Sequence, residues 1–317
     1  MHENCETQLM KKSILHILLL FLLAVMPVGS AWAQIYDKDG QYVDTTFHDH
    51  INRQAEDFVI VSLCVADPTD WRDDLLGTNG HAFIRLQCPV FELDNSFSYE
   101  CESAEDNLWR YFMKDLRMGL FRYSIESQIE VYRRWNRTIH EYQLNLPPEA
   151  EQRLWEIMDN HVNNGTKLPM DMYKRGCAIS LVHFVNEALG DAKIEYHEWP
   201  EEVLTKTRYQ IIYDRYADYP WIRLAACWWA LDKRFDAPCS NEEKLIMPDI
   251  LVEAWNKATL NGKPFMIDRG CLVLGETVAV TKTYITPTCV LFLLVLIIVG
   301  AIGVFVWRKR GKRICQR

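Results

Sequence analysis

The sequence predicts an α+β domain carried by one C-terminal membrane-spanning helix. Three observations lead there. Strand-like apolar or alternating runs are mixed with helical stripes, without the regular strand–helix alternation of a parallel sheet. Tyr284 to Trp307 holds no charged residue and is rich in Leu, Val and Ile; about 20 such residues cross a hydrocarbon layer at 1.5 Å each. Between these regions no repeat and no long Gly/Ser/Pro linker appears, so one domain is expected.

Composition narrows the class. The chain has 317 residues, is 49% hydrophobic and 12% aromatic, and carries a formal charge of −8. It is too apolar for a disordered chain and too acidic for a nucleic-acid coat, so no nucleic-acid partner is expected. The charge is unevenly spread. With Lys11, Lys12, Glu3, Glu6 and the basic tail set aside, 27 basic residues face 41 acidic ones, a net −14. Such a surface suits a basic ligand, but acidity alone mostly reports solubility.

The two ends read as membrane signals. Lys11 and Lys12 precede an apolar run from Ile14 to Val28, followed by Ala31-Trp32-Ala33. This predicts a signal peptide over residues 1–33, cleaved before Gln34; an uncleaved anchor is the alternative, for which the run is short. At the other end Arg308 to Arg313 is a basic block, which the positive-inside rule assigns to the cytoplasm, with Tyr284 and Trp307 as interfacial aromatics. The expected order is a signal peptide (1–33), an exported domain (34–282), a span (284–307) and a basic cytoplasmic tail (308–317).

Within the exported region, Phe58 to Val65 is a continuous apolar run, a buried strand. Asp67 to Trp71 and Thr78-Asn79-Gly80 are turn material, and His81 to Leu86 makes a second strand. Asn95 to Tyr99 is a third, and Asn136 to Leu146 alternates as another. Pro147 and Pro148 open a helix from Glu149 to about Val162, with Leu154, Ile157, Met158, His161 and Val162 as its stripe. Ala178 to Leu189 is a further helix, closed by Gly190, and Pro248 opens a last one through Trp255. Trp221, Trp228 and Trp229 with Ile222 and Leu224 fit either a core helix or an apolar wall at a membrane surface.

Seven cysteines fall in the exported region: Cys64, Cys88, Cys101, Cys177, Cys227, Cys239 and Cys271. An odd number leaves at least one unpaired in an oxidising compartment. Cys88 with Cys101 and Cys227 with Cys239 are conceivable pairs; the connectivity stays open. No Cys/His zinc spacing is present.

Cys177 is the most suggestive residue. It follows Arg175-Gly176 and starts the helix through Ser180, Leu181 and Phe184. A thiol in a first turn faces unpaired N–H groups and is expected to ionise more easily, and Gly176 permits a sharp backbone turn. The other reading is a buried structural or disulfide cysteine. His81 heads a strand just after a glycine turn, rigid support for a general base; otherwise it is a strand-end histidine bonded to a carbonyl. His48 and His50 share a side if extended, yet lack a third metal ligand nearby. His161 reads as packed, and His183 lies about 240° round the helix from Cys177. Asn136-Arg137-Thr138 and Asn164-Gly165-Thr166 match glycosylation sequons.

Ile60 to Leu86, with Gly80-His81-Ala82-Phe83-Ile84-Arg85, resembles the periplasmic domain of the Lnb-type lipoprotein N-acyltransferases. The likeness continues in order through Phe112 to Tyr123, Glu141 to Leu146, Tyr173 to Leu189, Tyr219 to Asp236 and Ile246 to Leu251. It implies a circularly permuted papain-like domain, in which the His strand precedes the Cys helix. It also implies roles. Cys177 attacks a phospholipid acyl ester, His81 takes the thiol proton, and the acyl group passes to the amine of a lipoprotein N-terminus. No cofactor is implied, and the place is a bacterial inner membrane, single-pass, with the domain in the periplasm. Two departures stand out: Gly176 replaces the polar Asn usual before the Cys, and one span replaces a larger membrane portion. Ser98 or Tyr99 is the orienting third residue to look for. The rival readings are a papain-like cysteine hydrolase with water as acceptor, and a non-catalytic envelope binding module.

Overall fold

The continuous apolar run that ends at Val65 becomes β1 (Ile60–Ala66), an interior strand buried on both faces. The computed structural model describes residues 59–70, 77–101, 110, 113, 115–171, 173–224, 238–275 and 285–314. The expected signal peptide, His48, His50, Cys227, Trp228, Trp229 and Tyr284 lie outside these residues. After β1 the chain forms β2 (His81–Cys88), β3 (Leu93–Cys101), β4 (Arg117–Ser124), α1 (Ile125–Arg134), β5 (Ile139–Leu144) and α2 (Pro148–Asn163). Then come β6 (Lys167–Pro169), α3 (Cys177–Leu189), β7 (Ile194–Tyr196), α4 (Glu201–Thr205), α5 (Arg208–Arg215) and a helical turn at 220–224. The domain closes with α6 (Pro248–Asn256), β8 (Ala258–Leu260), β9 (Lys263–Pro264) and β10 (Met266–Val273), and α7 (Pro287–Ile314) follows.

Seven strands form one antiparallel sheet in the order β10-β5-β1-β2-β3-β4-β6, and β7-β8-β9 form a small second sheet. Side chains alternate across the large sheet. One face carries Leu63, Val65, Ala82, Ile84, Phe97, Tyr99, Leu120 and Tyr142, and is covered by α2 and α3, with α6 packed against α3. The other carries Cys64, Ala66, Phe83 and Ile139 under Ile125 and Tyr132 of α1. On that second face Arg85 of β2 holds Asp94 of β3 and reaches over β1 to Glu141 of β5, at 2.9 Å. The architecture is therefore α+β, as the sequence predicts, with the His81 strand ahead of the Cys177 helix.

Several elements escape sequence reading. β4 is masked because Arg122 points into the core, where it meets Asp159 of α2 at 2.6 Å. Its inward charge breaks the apolar alternation that would mark a strand. α1 has a cap signal that sequence reading passed over: Ser124 Oγ accepts from the Ser127 N–H at 3.2 Å. β10 is an edge strand of mixed polarity, with register shifts against β5. α7 begins at Pro287 and extends through the basic block to Ile314. Within it Pro287–Phe305 has a mean hydropathy of 3.0 and none of that stretch is buried, so it is long and apolar enough to cross a membrane.

Ile84 lies fully buried between β1 and β3 and under α3, so its truncation leaves a cavity at the sheet's centre. Ile84→Ala is expected to lower unfolding free energy by about 2–5 kcal/mol. Urea unfolding of the detergent-solubilised chain measures it.

Candidate active site

His81 owes its place to Gly80. A three-residue 3-10 turn, Gly77–Asn79, delivers the chain to Gly80, whose φ is +77°, and whose N–H donates to the Gly77 carbonyl at 3.0 Å. A Cβ at Gly80 would come within 2.7 Å of the Ala66 carbonyl oxygen. Glycine is thus required for both conformation and contact. His81 follows as the first residue of β2, opposite Ala66 of β1. Its ring packs on Phe83, centroids 6.3 Å apart, and its Nε2 lies 2.7 Å from Ser98 Oγ of β3. Of the two orienting candidates, the structure brings Ser98 to the imidazole. Tyr99, one position on, faces the opposite side of the sheet and packs edge-on against Phe184 of α3 at 6.4 Å. When Nε2–H donates to Ser98, Nδ1 is the basic nitrogen.

Cys177 is the first residue of α3. The Gly176 cap has φ −68° and ψ 165°, a conformation open to any residue, and no side-chain cap bond forms. The sharp turn that Gly176 permits is therefore not one that only glycine can make. α3 lies across β2 and β3, and this brings the Cys177 thiol to the backbone N–H of Ala82, the neighbour of His81. The N–H groups of Ala178 and of Cys177 itself also point at the sulfur. Strand start and helix start, nearly a hundred residues apart in sequence, thus meet at one thiol, while the His81 imidazole lies with Phe83 and Ser98 on the α1 face of the sheet.

The ionisation state departs from the sequence expectation. Burial pushes the Cys177 thiol above its ordinary value; the three N–H groups and the charge of Arg137 pull the other way without overcoming it. Burial also lowers His81 to about 3, and the Arg137 charge adds to this. The resting pair is a neutral thiol with a neutral imidazole, because desolvation penalises both ions more than the helix start rewards one.

Arg137 is the residue that sequence reasoning missed, noticing it only inside a sequon. It is 2% exposed, and its Nε and Nη2 donate to the Asp67 carbonyl at 3.0 and 2.8 Å. Its guanidinium lies 5.0 Å over the Tyr132 ring. No spacing in the chain links it to His81; the pairing of β5 with β1 does.

The other histidines lie away from the thiol. His161 packs edge-on against Phe184 at 5.1 Å, and His140 pairs with Asp67 at 3.2 Å. His197 bonds Thr259 Oγ1 at 2.8 Å, and His183 is exposed on the far side of α3 near Glu242 and Glu243. Cys88 and Cys239 carry free thiols, so neither conceivable disulfide, Cys88–Cys101 nor Cys227–Cys239, is formed. Cys101 sulfur instead lies 3.5 Å from that of Met170, and Cys177 is itself free.

Compared with family models, curated proteins and solved structures, the chain matches none.

Two outcomes are expected. Gly80→Ala should destabilise the domain by at least about 1–2 kcal/mol from the left-handed backbone alone, before the clash with Ala66 is added; calorimetric unfolding reads it. Alkylation of Cys177 by iodoacetamide, followed by peptide mass, should still be climbing as pH passes 9.0, the ordinary thiol value. A rate already flat from about pH 6 would show a preformed thiolate instead.

Proposed function

We propose that the chain is a membrane-tethered thiol acyltransferase. In this reading Cys177 carries a fatty acyl group from a phospholipid to an amine, in the manner of the lipoprotein N-acyltransferases that the sequence resembles. The observation that carries it is the meeting of the Cys177 thiol with the Ala82 N–H, one residue along the chain from His81, whose imidazole lies with Ser98 and Phe83 on the α1 face of the sheet. A free thiol at a helix start, a partly buried imidazole and an apolar anchor are the parts such chemistry uses. The fold in this reading is a permuted papain-like domain, and its place is the periplasmic side of a bacterial inner membrane.

The chemistry follows from the resting state. As sulfur bonds to the ester carbonyl carbon, the thiol proton passes to His81, whose imidazole has to leave Ser98 and turn round the strand start to reach the sulfur, so no free thiolate has to accumulate. The acyl C–O bond breaks, and the departing alcohol oxygen takes that proton from His81. The acyl group remains as a thioester. A neutral amine then attacks the thioester carbon, its proton passes by way of His81 to the departing sulfur, and the amide leaves. The N–H groups around the sulfur are the donors at hand for the oxyanion of each step. Dividing the transfer in two lets one acceptor replace another, which is why the same pair would also serve a hydrolase, with water in the amine's place.

The test is the intact mass of the detergent-solubilised chain after incubation with phospholipid. A fatty-acyl increment that hydroxylamine removes, and that Cys177→Ala lacks, is expected. His81→Ala should form it about 10²–10⁴-fold more slowly. An increment that decays to free fatty acid equally fast with and without an amine acceptor would favour the hydrolase. No increment in the unaltered chain, with lipid accessible, would refute lipid acylation.

A further inference from the structure

We infer that the surface formed by helical residues 220–224 and Tyr213 of α5 is a membrane-docking face, seated in the interfacial layer of the same bilayer that α7 crosses. This does not depend on any role for Cys177; it depends on α7 being a span.

The argument starts at the junction of domain and anchor. Trp221 Nε1 donates to the carbonyl of Ile285 at 2.7 Å. Thr286 then caps α7, its Oγ1 accepting from the Cys289 N–H at 3.3 Å, and the apolar stretch begins at Pro287. Two residues of chain reach at most about 7 Å. The headgroup layer on each side of the hydrocarbon is about 5–8 Å thick. The indole of Trp221 is therefore tied at the depth that Trp and Tyr prefer in a membrane.

The side chains around it suit that depth. Ile222 turns inward to the core, which leaves Trp221 and Leu224 on the outer side of the same turn. Leu224 is 54% exposed, Ile285 65% and Tyr213 40%. Tyr213 stacks with Tyr209, centroids 5.8 Å apart. The Arg223 guanidinium lies 4.2 Å over the Tyr213 ring, and its buried Nε has no hydrogen-bond partner. Among the described residues no carboxylate pairs with Arg223. An aromatic and leucine surface with one uncompensated guanidinium, at the mouth of a span, complements acyl chains below and lipid phosphates around it. A protein partner would have to reach the same surface past the membrane.

The face also sits at the His81 end of the sheet. Tyr219, just before this turn, feels the carboxylate of Asp70, and Thr69 of the same loop bonds Gly77 in the turn that delivers His81. The opposite end of β2, about 23 Å from His81 along the strand, leads into the turn that carries Val90, 67% exposed.

The test uses the full chain in nanodiscs of phosphatidylcholine and phosphatidylglycerol, with acyl chains either plain or brominated in their upper part. Leu224→Trp and Val90→Trp each add an emitter at an exposed site. The emission added at 224 is expected to fall by more than half in brominated discs, and that added at 90 to stay unchanged. Trp221→Phe removes an emitter from the same layer, so the quenchable share of the emission should drop. Unquenched emission at 224, equal quenching at 224 and 90, or an unchanged quenchable share in Trp221→Phe would each overturn the docking face.

Discussion

The contact on which the rest of the candidate site depends is the seat of α3 across β2 and β3. It brings the first residue of a helix against the N–H of Ala82 at the beginning of a strand. The core formed by Ile84, Phe97, Tyr99, Ile179, Val182 and Phe184 fixes that seat, and the helix has no freedom to slide without opening it. Gly80 fixes the other half by bringing the chain against the Ala66 carbonyl and releasing it as β2. The thiol and the imidazole are therefore positioned by two independent pieces of packing rather than by a bond to one another.

Burial sets the electrostatic character of the site. A helix start offers a partial positive charge that favours a thiolate, worth about 0.3–1 kcal/mol at an exposed position. Desolvation of the Cys177 sulfur works against it and wins. The same burial, reinforced by Arg137, holds His81 neutral. Arg137 is in turn locked by the Asp67 carbonyl and the Tyr132 ring, on the face of the sheet that α1 covers. Burial keeps the thiol in its protonated, less reactive form.

The anchor and the domain are joined by structure as well as by sequence. The Trp221 hydrogen bond to Ile285 limits how far the domain can swing from the mouth of α7. The loop that leads to His81 is on the same side as Tyr219.

The amino-acid sequence by itself determined the α+β class, the apolar C-terminal helix, the four strand runs through β1, β2, β3 and β5, and the helix starts at Pro148, Cys177 and Pro248. These are local properties: periodicity of 2 or 3.6, proline and glycine punctuation, and an uninterrupted apolar stretch. His81 and Cys177 were legible as candidates for the same reason, each sitting at the end of an element. Only the tertiary structure decided which residues meet. It chose Ser98 over Tyr99, because adjacent residues of a strand face opposite sides. It brought in Arg137 through the β5–β1 pairing, left Cys88 and Cys239 as free thiols, and reversed the expected ionisation of Cys177. β4 and β10 were hidden because an inward arginine and an edge position erase the alternation that marks a strand. Proximity and burial are sums over the whole chain, and no local pattern carries them.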